Sequence, residues 1–334
     1  MLVFSAETSC DETSVCIMKE DKTILSHIVF SQTIHTKHGG VVPELASRAH
    51  LEILQQITKE ALKESGIKLN AISLFSATCG PGLIGGLLIG STFVKSLSIG
   101  NNKPFIPINH LEAHVLSSFY NNNISFPHLS LLITGGHTEI YLLDNINEIN
   151  LVGETVDDAA GEAFDKVAKI LGLNYPGGKE IEIRAIKGNE KKFNLPKPMV
   201  DKNNFNFSFS GLKTSVNLIT KNNQLNNTFI NNMAASFQKT ISDIICIKIE
   251  KIIKKLKKNN VKISSLSVVG GVANNKKIKA ELYNELQKYG VYLMQPPKEM
   301  LSDNAAMVAW ACIHKYSKIK NGLFFKPNPR LKIN

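Results

Sequence analysis

Apolar residues form two similar patterns, one near the start of each half of the chain. Residues 2–18 (LVFSAETSCDETSVCIM) and residues 129–144 (LSLLITGGHTEIYLLD) each contain two apolar runs separated by a short polar segment. Such runs predict two strands joined by a turn. Because one such hairpin opens each half, the pattern favours a duplicated domain, although two unrelated hairpins would look the same.

Segments with helical spacing of apolar residues alternate with these strands. We predict helices at residues 43–66, 157–171, 233–258 and 273–290, and a buried strand at residues 263–271. Residues 187–206 are rich in Lys, Asn and Pro and predict a surface loop. Alternating strands and helices indicate an α/β protein.

Length and composition exclude several classes of protein. The chain has 334 residues, of which 43% are hydrophobic, and this favours two medium domains. The longest apolar run, residues 82–94, is too short and glycine-rich to span a membrane. Acidic residues follow closely on the first methionine, which argues against a secretory signal. The five cysteines form no CxxC motif, so we expect a reduced, cytoplasmic protein.

The formal net charge of +11 is compatible with a polyanionic partner such as nucleic acid. Only three of the 39 basic residues are arginine, however. An excess of lysine, asparagine and isoleucine can also arise from genome base composition. Charge alone therefore leaves both explanations open.

The segment NHLEAH contains His110 and His114, which lie four residues apart and so on one face of a helix. The pair could bind one metal ion, or both could be ordinary core or surface histidines. Glu112 lies about 200° around the helix from His110. Zinc proteases place this glutamate beside a histidine, so the spacing argues against a metalloprotease. Asp303 is a candidate third ligand, with helix N-capping as its alternative role.

Glycine-containing turns occur four times where strands meet helices or hairpins: residues 79–86, 133–139, 175–178 and 268–275. Glycine allows backbone N–H groups to approach a phosphate closely. No P-loop and no GxGxxG motif is present. Together the turns suggest a nucleotide site. Alternatively, the glycines are present only because these turns need a positive φ. Asp11 and Glu12, in the first hairpin turn, could hold a cation or cap the backbone.

Several stretches in order resemble the TsaD family of tRNA N6-adenosine threonylcarbamoyltransferases, once described as glycoproteases. They are ETSCDETSV, HGGVVPELASRAH, GPGLIGGLLIG, NHLEAH, ITGGHTEI, DDAAGEAFDKVAKILGLNYPGG, FSFSGLKTSV, VVGGVANN and SDNAAMVAWA. The resemblance implies the duplicated two-domain fold of actin, Hsp70 and sugar kinases (ASKHA), with a nucleotide cleft between the halves. We expect a first domain of residues 1–125 completed by residues 305–334, and a second domain of residues 126–304.

The resemblance also implies the site residues. Fe(2+), one per subunit, would be bound by His110, His114 and Asp303, with zinc or manganese as possible substitutes. The donor, threonylcarbamoyl-AMP, would contact residues on the glycine loops and following helices: Leu132, Ile133, Thr134, Gly135, Gly136, Asp165, Gly178, Glu182 and Asn275. Thr134 stands where many members have serine, and Glu182 where aspartate is usual.

The implied reaction is transfer of threonylcarbamoyl to N6 of adenosine 37 in tRNAs that read codons beginning with A. The implied partners are tRNA, TsaB-like and TsaE-like proteins, and a TsaC-type enzyme that supplies the adenylate, with no membrane. Lysine-rich residues 187–202 and 248–262 are candidate RNA backbone contacts. The alternatives are a sugar or acetate kinase of the same fold and an inactive TsaB-like scaffold. No general base is identified, and Asp11 and Glu12 are the candidates.

Overall fold

The computed structural model describes residues 1–317 and 321–333. The chain forms two compact units, one of Met1–Asn121 with Pro296–Asn334 and one of Asn122–Gln295. Residues 122–125, which we had assigned to the first domain, belong to the second unit. Residues 296–304, which we had assigned to the second domain, belong to the first unit, where Asp303 contacts His114. Residues 318–320 and 334, which the sequence placed in the first domain, lie outside the described residues.

The first unit contains a five-stranded sheet in the order β3-β2-β1-β4-β5. Its strands are β1 (Leu2–Glu7), β2 (Glu12–Lys19), β3 (Ile24–Ser31), β4 (Leu74–Gly80) and β5 (Phe105–Asn109). β2 runs antiparallel to both β1 and β3, whereas β4 runs parallel to β1 and β5 runs parallel to β4. The ends of β1, β4 and β5 therefore meet at one edge of the sheet.

The second unit repeats this arrangement with the order β10-β9-β6-β7-β8. Its strands are β6 (His128–Ile133), β7 (Thr138–Asn145), β8 (Glu148–Glu154), β9 (Ser265–Val269) and β10 (Tyr292–Met294). β6, β7 and β8 form the antiparallel part, and β9 and β10 add parallel strands on the other side of β6. The predicted duplicated α/β class is confirmed by this repeated strand order.

Helices connect the strands of both units. They are α1 (Pro43–Ser65), α2 (Ile84–Gly100), α3 (His110–Ser117), α4 (Ala160–Ile170), α5 (Gly177–Ala185), α6 (Ser210–Lys221), α7 (Asn227–Lys258), α8 (Lys276–Gln287) and α9 (Ala305–Lys315). The predicted helices at residues 43–66, 157–171, 233–258 and 273–290 are confirmed as α1, α4, α7 and α8, and the predicted strand at 263–271 as β9. No helix in the described ranges is both long and apolar enough to cross a membrane.

The sequence analysis missed the third strand of each meander, β3 and β8. Val29 and Phe30 of β3 and Leu151 of β8 are exposed, and neither strand has a fully apolar face. Both strands lie at a sheet edge, and few of their residues are fully buried, so their apolar residues give a weak strand pattern. Adding β3 and β8 does not alter where β1 and β6 end, so the predicted position of the turns after these two strands is unaffected.

Candidate metal centre and glycine loops

The two histidines of the first unit are placed by the start of α3. Asn109, the last residue of β5, accepts hydrogen bonds from the backbone N–H groups of Leu111 and Glu112 at 2.9 and 3.2 Å. This N-cap begins the helix at His110 and places His114 one turn later. Both histidines are buried, and their ring centroids lie 4.7 Å apart.

Asp303 completes a cluster with these histidines. Its Oδ1 lies 3.0 Å from Nε2 of His114 and 3.6 Å from Nε2 of His110. One potential ligand atom from each of the three residues lies within 4.8 Å of the other two. The alternative that Asp303 caps the following helix is wrong, because the side chain of Asn304 accepts from Met307 N at 2.9 Å and caps α9.

Glu7 is a member of this site that the sequence analysis missed. It is fully buried at the end of β1, and its Oε2 lies 3.1 Å from Nδ1 of His110. Ser9 N donates to Oε1 at 2.6 Å, and the Thr78 hydroxyl donates to Oε2. The sequence did contain a signal for this role, because Glu7 ends an apolar strand just before the TSCDE turn. A carboxylate buried there needs polar partners.

The contact with Glu7 orients the His110 ring. When Nδ1 donates its proton to Glu7, the lone pair of Nε2 faces Asp303, and such a carboxylate–histidine pair is the usual support of a metal-binding imidazole. Two imidazole nitrogens and one carboxylate suit Fe(II), zinc or manganese. Nδ1 of His114 is buried and has no hydrogen-bond partner in the described part of the chain. The residues present therefore fit a divalent metal ion.

The ionisation of the cluster follows from burial and charge. Burial alone would lower the pKa of His110, but the carboxylates of Asp303 and Glu7 raise it to about 9. Burial lowers the pKa of His114. Burial would raise the pKa of Glu7, but the charge of His110 and its hydrogen bond lower it. A proton on His110 occupies the place that a cation would take, so a metal ion would have to displace it.

The remaining acidic candidates of the first unit differ in their surroundings. Glu112 is buried and forms an ion pair with Lys315 of α9, which confirms that it does not point toward the histidine pair. Burial and the nearby carboxylates of Asp303 and Asp11 raise the pKa of Glu12 to about 10. Glu12 therefore holds a proton at neutral pH when no cation is bound nearby.

In the second unit, the loop after β6 occupies the same place as the TSCDE turn after β1. Leu132 and Ile133 are buried in β6. Thr134 follows, and its Oγ1 accepts from the N–H groups of Gly136 at 3.2 Å and His137 at 2.9 Å. A Cβ on Gly135 or Gly136 would meet nothing within 4 Å, so this backbone is open to a ligand.

Two other glycines allow neighbouring segments to approach this loop. Gly270, at the end of β9, has φ +94°, and a Cβ there would lie 2.5 Å from Ile133 O. A Cβ on Gly161, in the first turn of α4, would lie 2.6 Å from Thr134 O. Only glycine fits these positions without displacing backbone, so β9, α4 and the Thr134 loop meet closely.

The other predicted donor contacts have structural partners within the second unit. Asp165 Oδ1 accepts from Gly177 N at 2.7 Å, and Glu182 Oε1 accepts from Lys276 N at 2.7 Å. Asn275 caps α8 through Ile278 N at 3.0 Å and donates to Gln238 Oε1 at 3.2 Å. Gly178, like Gly271, has open space where a Cβ would stand. Asp165 lies on α4, Gly178 and Glu182 lie on α5, and Asn275 is the N-cap of α8.

Solved structures with the same architecture define the class of protein. HypF from T. kodakarensis matches with a TM-score of 0.64 and 12% identity, over 96% of this chain and 49% of that one. A ROK hexokinase from Thermus thermophilus matches with a TM-score of 0.52 and 13% identity, over 96% of this chain and 99% of that one. At such low identity these matches establish the fold only. The protein thus has the duplicated actin, Hsp70 and sugar-kinase fold, with a His–His–Asp cluster in one unit.

Sequence relatives identify the family. The model of the TsaD family, tRNA N6-adenosine threonylcarbamoyltransferase, matches residues 23–310. A protein of that name from Rickettsia canadensis (strain McKiel) is 46% identical over 333 residues, covering 98% of this chain and 97% of that protein. Another from Rickettsia bellii (strain OSU 85-389) is 47% identical over 325 residues, covering 96% and 94%. The chain belongs to the TsaD family of tRNA N6-adenosine threonylcarbamoyltransferases.

Proposed function

We propose that this chain transfers the threonylcarbamoyl group from threonylcarbamoyl-AMP to N6 of adenosine 37 in tRNAs that read codons beginning with A. The observation that supports this most strongly is 46% identity, over 98% of the chain, to a protein named tRNA N6-adenosine threonylcarbamoyltransferase. Membership of the family gives the reaction type, and the residues described above suggest how it proceeds.

The chemistry requires an activated donor and an enforced approach. The exocyclic amine of adenine is a weak nucleophile because its lone pair is delocalised into the ring. In the proposed step N6 attacks the carbamoyl carbonyl carbon, the bond from that carbon to the AMP phosphate oxygen breaks, AMP leaves with the electron pair, and N6 loses a proton. Holding both reactants in place supplies much of the rate.

His110, His114 and Asp303 would hold Fe(2+), with zinc or manganese as possible substitutes. The His–His–carboxylate donor set and the support of His110 by Glu7 favour such an ion. When bound, the metal would act as a Lewis acid toward acyl or phosphate oxygens of the donor. Glu7 would keep the His110 ring aligned through its contact with Nδ1.

The second unit would hold the donor through backbone groups and short polar side chains. The loop Thr134–Gly135–Gly136 offers open backbone near the N-terminus of α4, and a helix N-terminus favours phosphate. Asn275 at the start of α8, together with Glu182 and Gly178 on α5, would contact the nucleoside part. Gly136 N–H already donates to Thr134 Oγ1, so a phosphate contact there would be shared.

The proposed partners are tRNA, TsaB-like and TsaE-like proteins, and a TsaC-type enzyme that supplies the donor. The proposed location is the cytoplasm, where this substrate occurs and where the five free cysteines would remain reduced. The second candidate function is a small-metabolite kinase, because a ROK hexokinase shares the fold. Such a kinase has no use for the His110–His114–Asp303 cluster.

A reconstituted transfer assay tests the proposal. The chain is combined with threonylcarbamoyl-AMP, its partner proteins and unmodified tRNA, and the nucleosides are then analysed by mass spectrometry. We expect threonylcarbamoyladenosine that depends on this chain and is lost in His110→Ala. Absence of product beside a working relative, together with ATP-dependent phosphorylation of a hexose or acetate, would favour the kinase.

A further inference from the structure

Helix α8 of the second unit has two charged stripes with different surroundings. On one stripe, Lys277 forms ion pairs with Glu281 at 2.9 Å and Glu190 at 2.8 Å, and Glu285 pairs with Lys288 at 2.7 Å. These charges are neutralised within the unit. The other stripe, Lys276, Lys279 and Tyr283, is exposed, and neither lysine has an ion-pair partner in the part of the chain that the structure describes.

A groove of about 510 Å³ runs beside this second stripe. It is lined by Lys276, Lys279 and Tyr283 of α8, and by Leu293 of β10 and Gln295. The Tyr283 side chain is 52% exposed. The groove begins at the N-terminus of α8, where Asn275 is one of the residues proposed to contact the donor.

Several of the lysines that the sequence favoured for RNA contact are engaged elsewhere. Lys248 is buried and donates to the carbonyl oxygens of Met199 at 2.7 Å and Asn204 at 2.9 Å. Lys254 pairs with Glu250 at 2.6 Å, and Lys197 pairs with Asp243 at 2.7 Å. These side chains stabilise the unit, and their charge is already compensated. The α8 groove adds two lysines that form no ion pair in the described residues and that lie beside an accessible aromatic ring.

We propose that the α8 groove binds a single-stranded segment of the substrate RNA. Lys276 and Lys279 would contact phosphates, and Tyr283 would stack on a base, which is the combination that single-stranded RNA sites use. The inference rests on the proposed function, because a groove that begins beside the donor site suits the loop that contains the target adenosine. Charge complementarity with phosphate, and the absence of an ion-pair partner for Lys276 and Lys279 in the described residues, favour RNA over a protein partner.

Equilibrium binding of labelled, unmodified tRNA to the full-length chain tests the proposal. Lys279→Glu and Tyr283→Ala should each raise the Kd about tenfold at low salt, and Lys279→Ala should reduce the salt dependence by about one phosphate contact. Tyr283→Phe keeps the ring and should stay within about twofold of the parent chain. Lys288→Glu is the matched control, because Lys288 caps the same helix but lies in the neutralised stripe.

The transfer reaction separates a failure of the groove from a failure of the function. In the reconstituted assay the Lys279 and Tyr283 variants should raise KM for tRNA and leave donor affinity unchanged. Parent-like Kd and KM values in folded variants would overturn the groove and leave the transferase function intact. Weakened tRNA binding by the variants, with no product from the parent chain beside active partners, would support the groove and contradict the function. Variants that keep tRNA affinity but lose a partner protein would assign the groove to that protein instead.

Discussion

The two units build the same strand order and place different chemistry at the same edge. In the first unit, the end of β1 contributes Glu7, and the helix after β5 contributes His110 and His114, which contact Asp303. In the second unit, the segment after β6 contributes Thr134 and two glycines, whose backbone is open. One unit is equipped with side-chain ligands, and the other with accessible backbone. The scaffold therefore determines where a site forms, and the loop residues determine what it binds.

Buried histidines illustrate the same contrast. In the first unit two carboxylates face His110 and raise its pKa to about 9 against the effect of burial. In the second unit His128 is buried in β6 with Nδ1 2.8 Å from Ser265 Oγ and Nε2 2.9 Å from Ser267 Oγ. Burial lowers its pKa to about 4. The first environment favours a cation, and the second favours a neutral ring.

The largest effect should come from removing a ligand of the first unit. Asp303→Asn removes the negative charge that faces both histidines, while the size of the side chain is kept. We expect the affinity for a divalent metal to fall by more than about 100-fold, since even residues that only support a ligand cost 10- to 100-fold. Titration with Fe(2+) under anaerobic conditions measures this. Asn304→Asp, which retains an N-cap for α9, is the control, and an equal loss there would contradict the assignment.

The second unit should lose stability in acid because of His128. Its pKa is near 4 in the folded chain and about 6.5 when unfolded, so the unfolded state binds the proton first as pH falls. The free energy of unfolding should therefore be unaffected by His128 above pH 6.5. It should fall by about 3 kcal/mol between pH 6.5 and pH 4. Urea titrations at several pH values measure the slope. His128→Gln should flatten it, and an unchanged slope would refute the contribution of His128.

Two adjacent glycines, Gly270 and Gly271, allow the effect of a steric clash to be compared with the effect of an added methyl group in open space. Gly270→Ala would place a Cβ 2.5 Å from Ile133 O at a φ of +94°, and should cost about 2–3 kcal/mol of stability and weaken donor binding. Gly271→Ala adds the same methyl group in open space and should stay within about 0.5 kcal/mol. Thermal unfolding and AMP binding measure both variants. Equal losses would show that steric contact is not the cause.

The smallest effect should come from the residue that supports His110. Glu7→Gln keeps the shape but removes the charge that aligns the ring, and metal affinity should fall 10- to 100-fold, with donor affinity unchanged when metal saturates both chains. Thr78→Val is the matched control, because it removes another partner of the same carboxylate without touching the histidine. A loss of metal affinity in the control equal to that in Glu7→Gln would reduce Glu7 to a structural role.

Part of this account could be predicted from the sequence. Helical spacing placed His110 and His114 on one face and turned Glu112 away, because that geometry is local. Asp303 was found as a candidate only from its neighbours in the sequence, since its approach to α3 depends on the packing of α9. Glu7 was missed for the same reason: its role depends on β1 and β5 ending at one edge of the sheet. The unpaired stripe of α8 likewise depends on which lysines find carboxylates in the folded unit.

The most direct test of the division between the units is the metal content and the donor affinity of His114→Ala, measured on the same preparation beside the parent chain. We predict about one equivalent of metal in the parent, none in the variant, and, once metal is removed from the parent by chelation, the same affinity of both for an AMP-based donor analogue. A variant that retains a full equivalent of metal would contradict the assignment of the metal site to His110, His114 and Asp303.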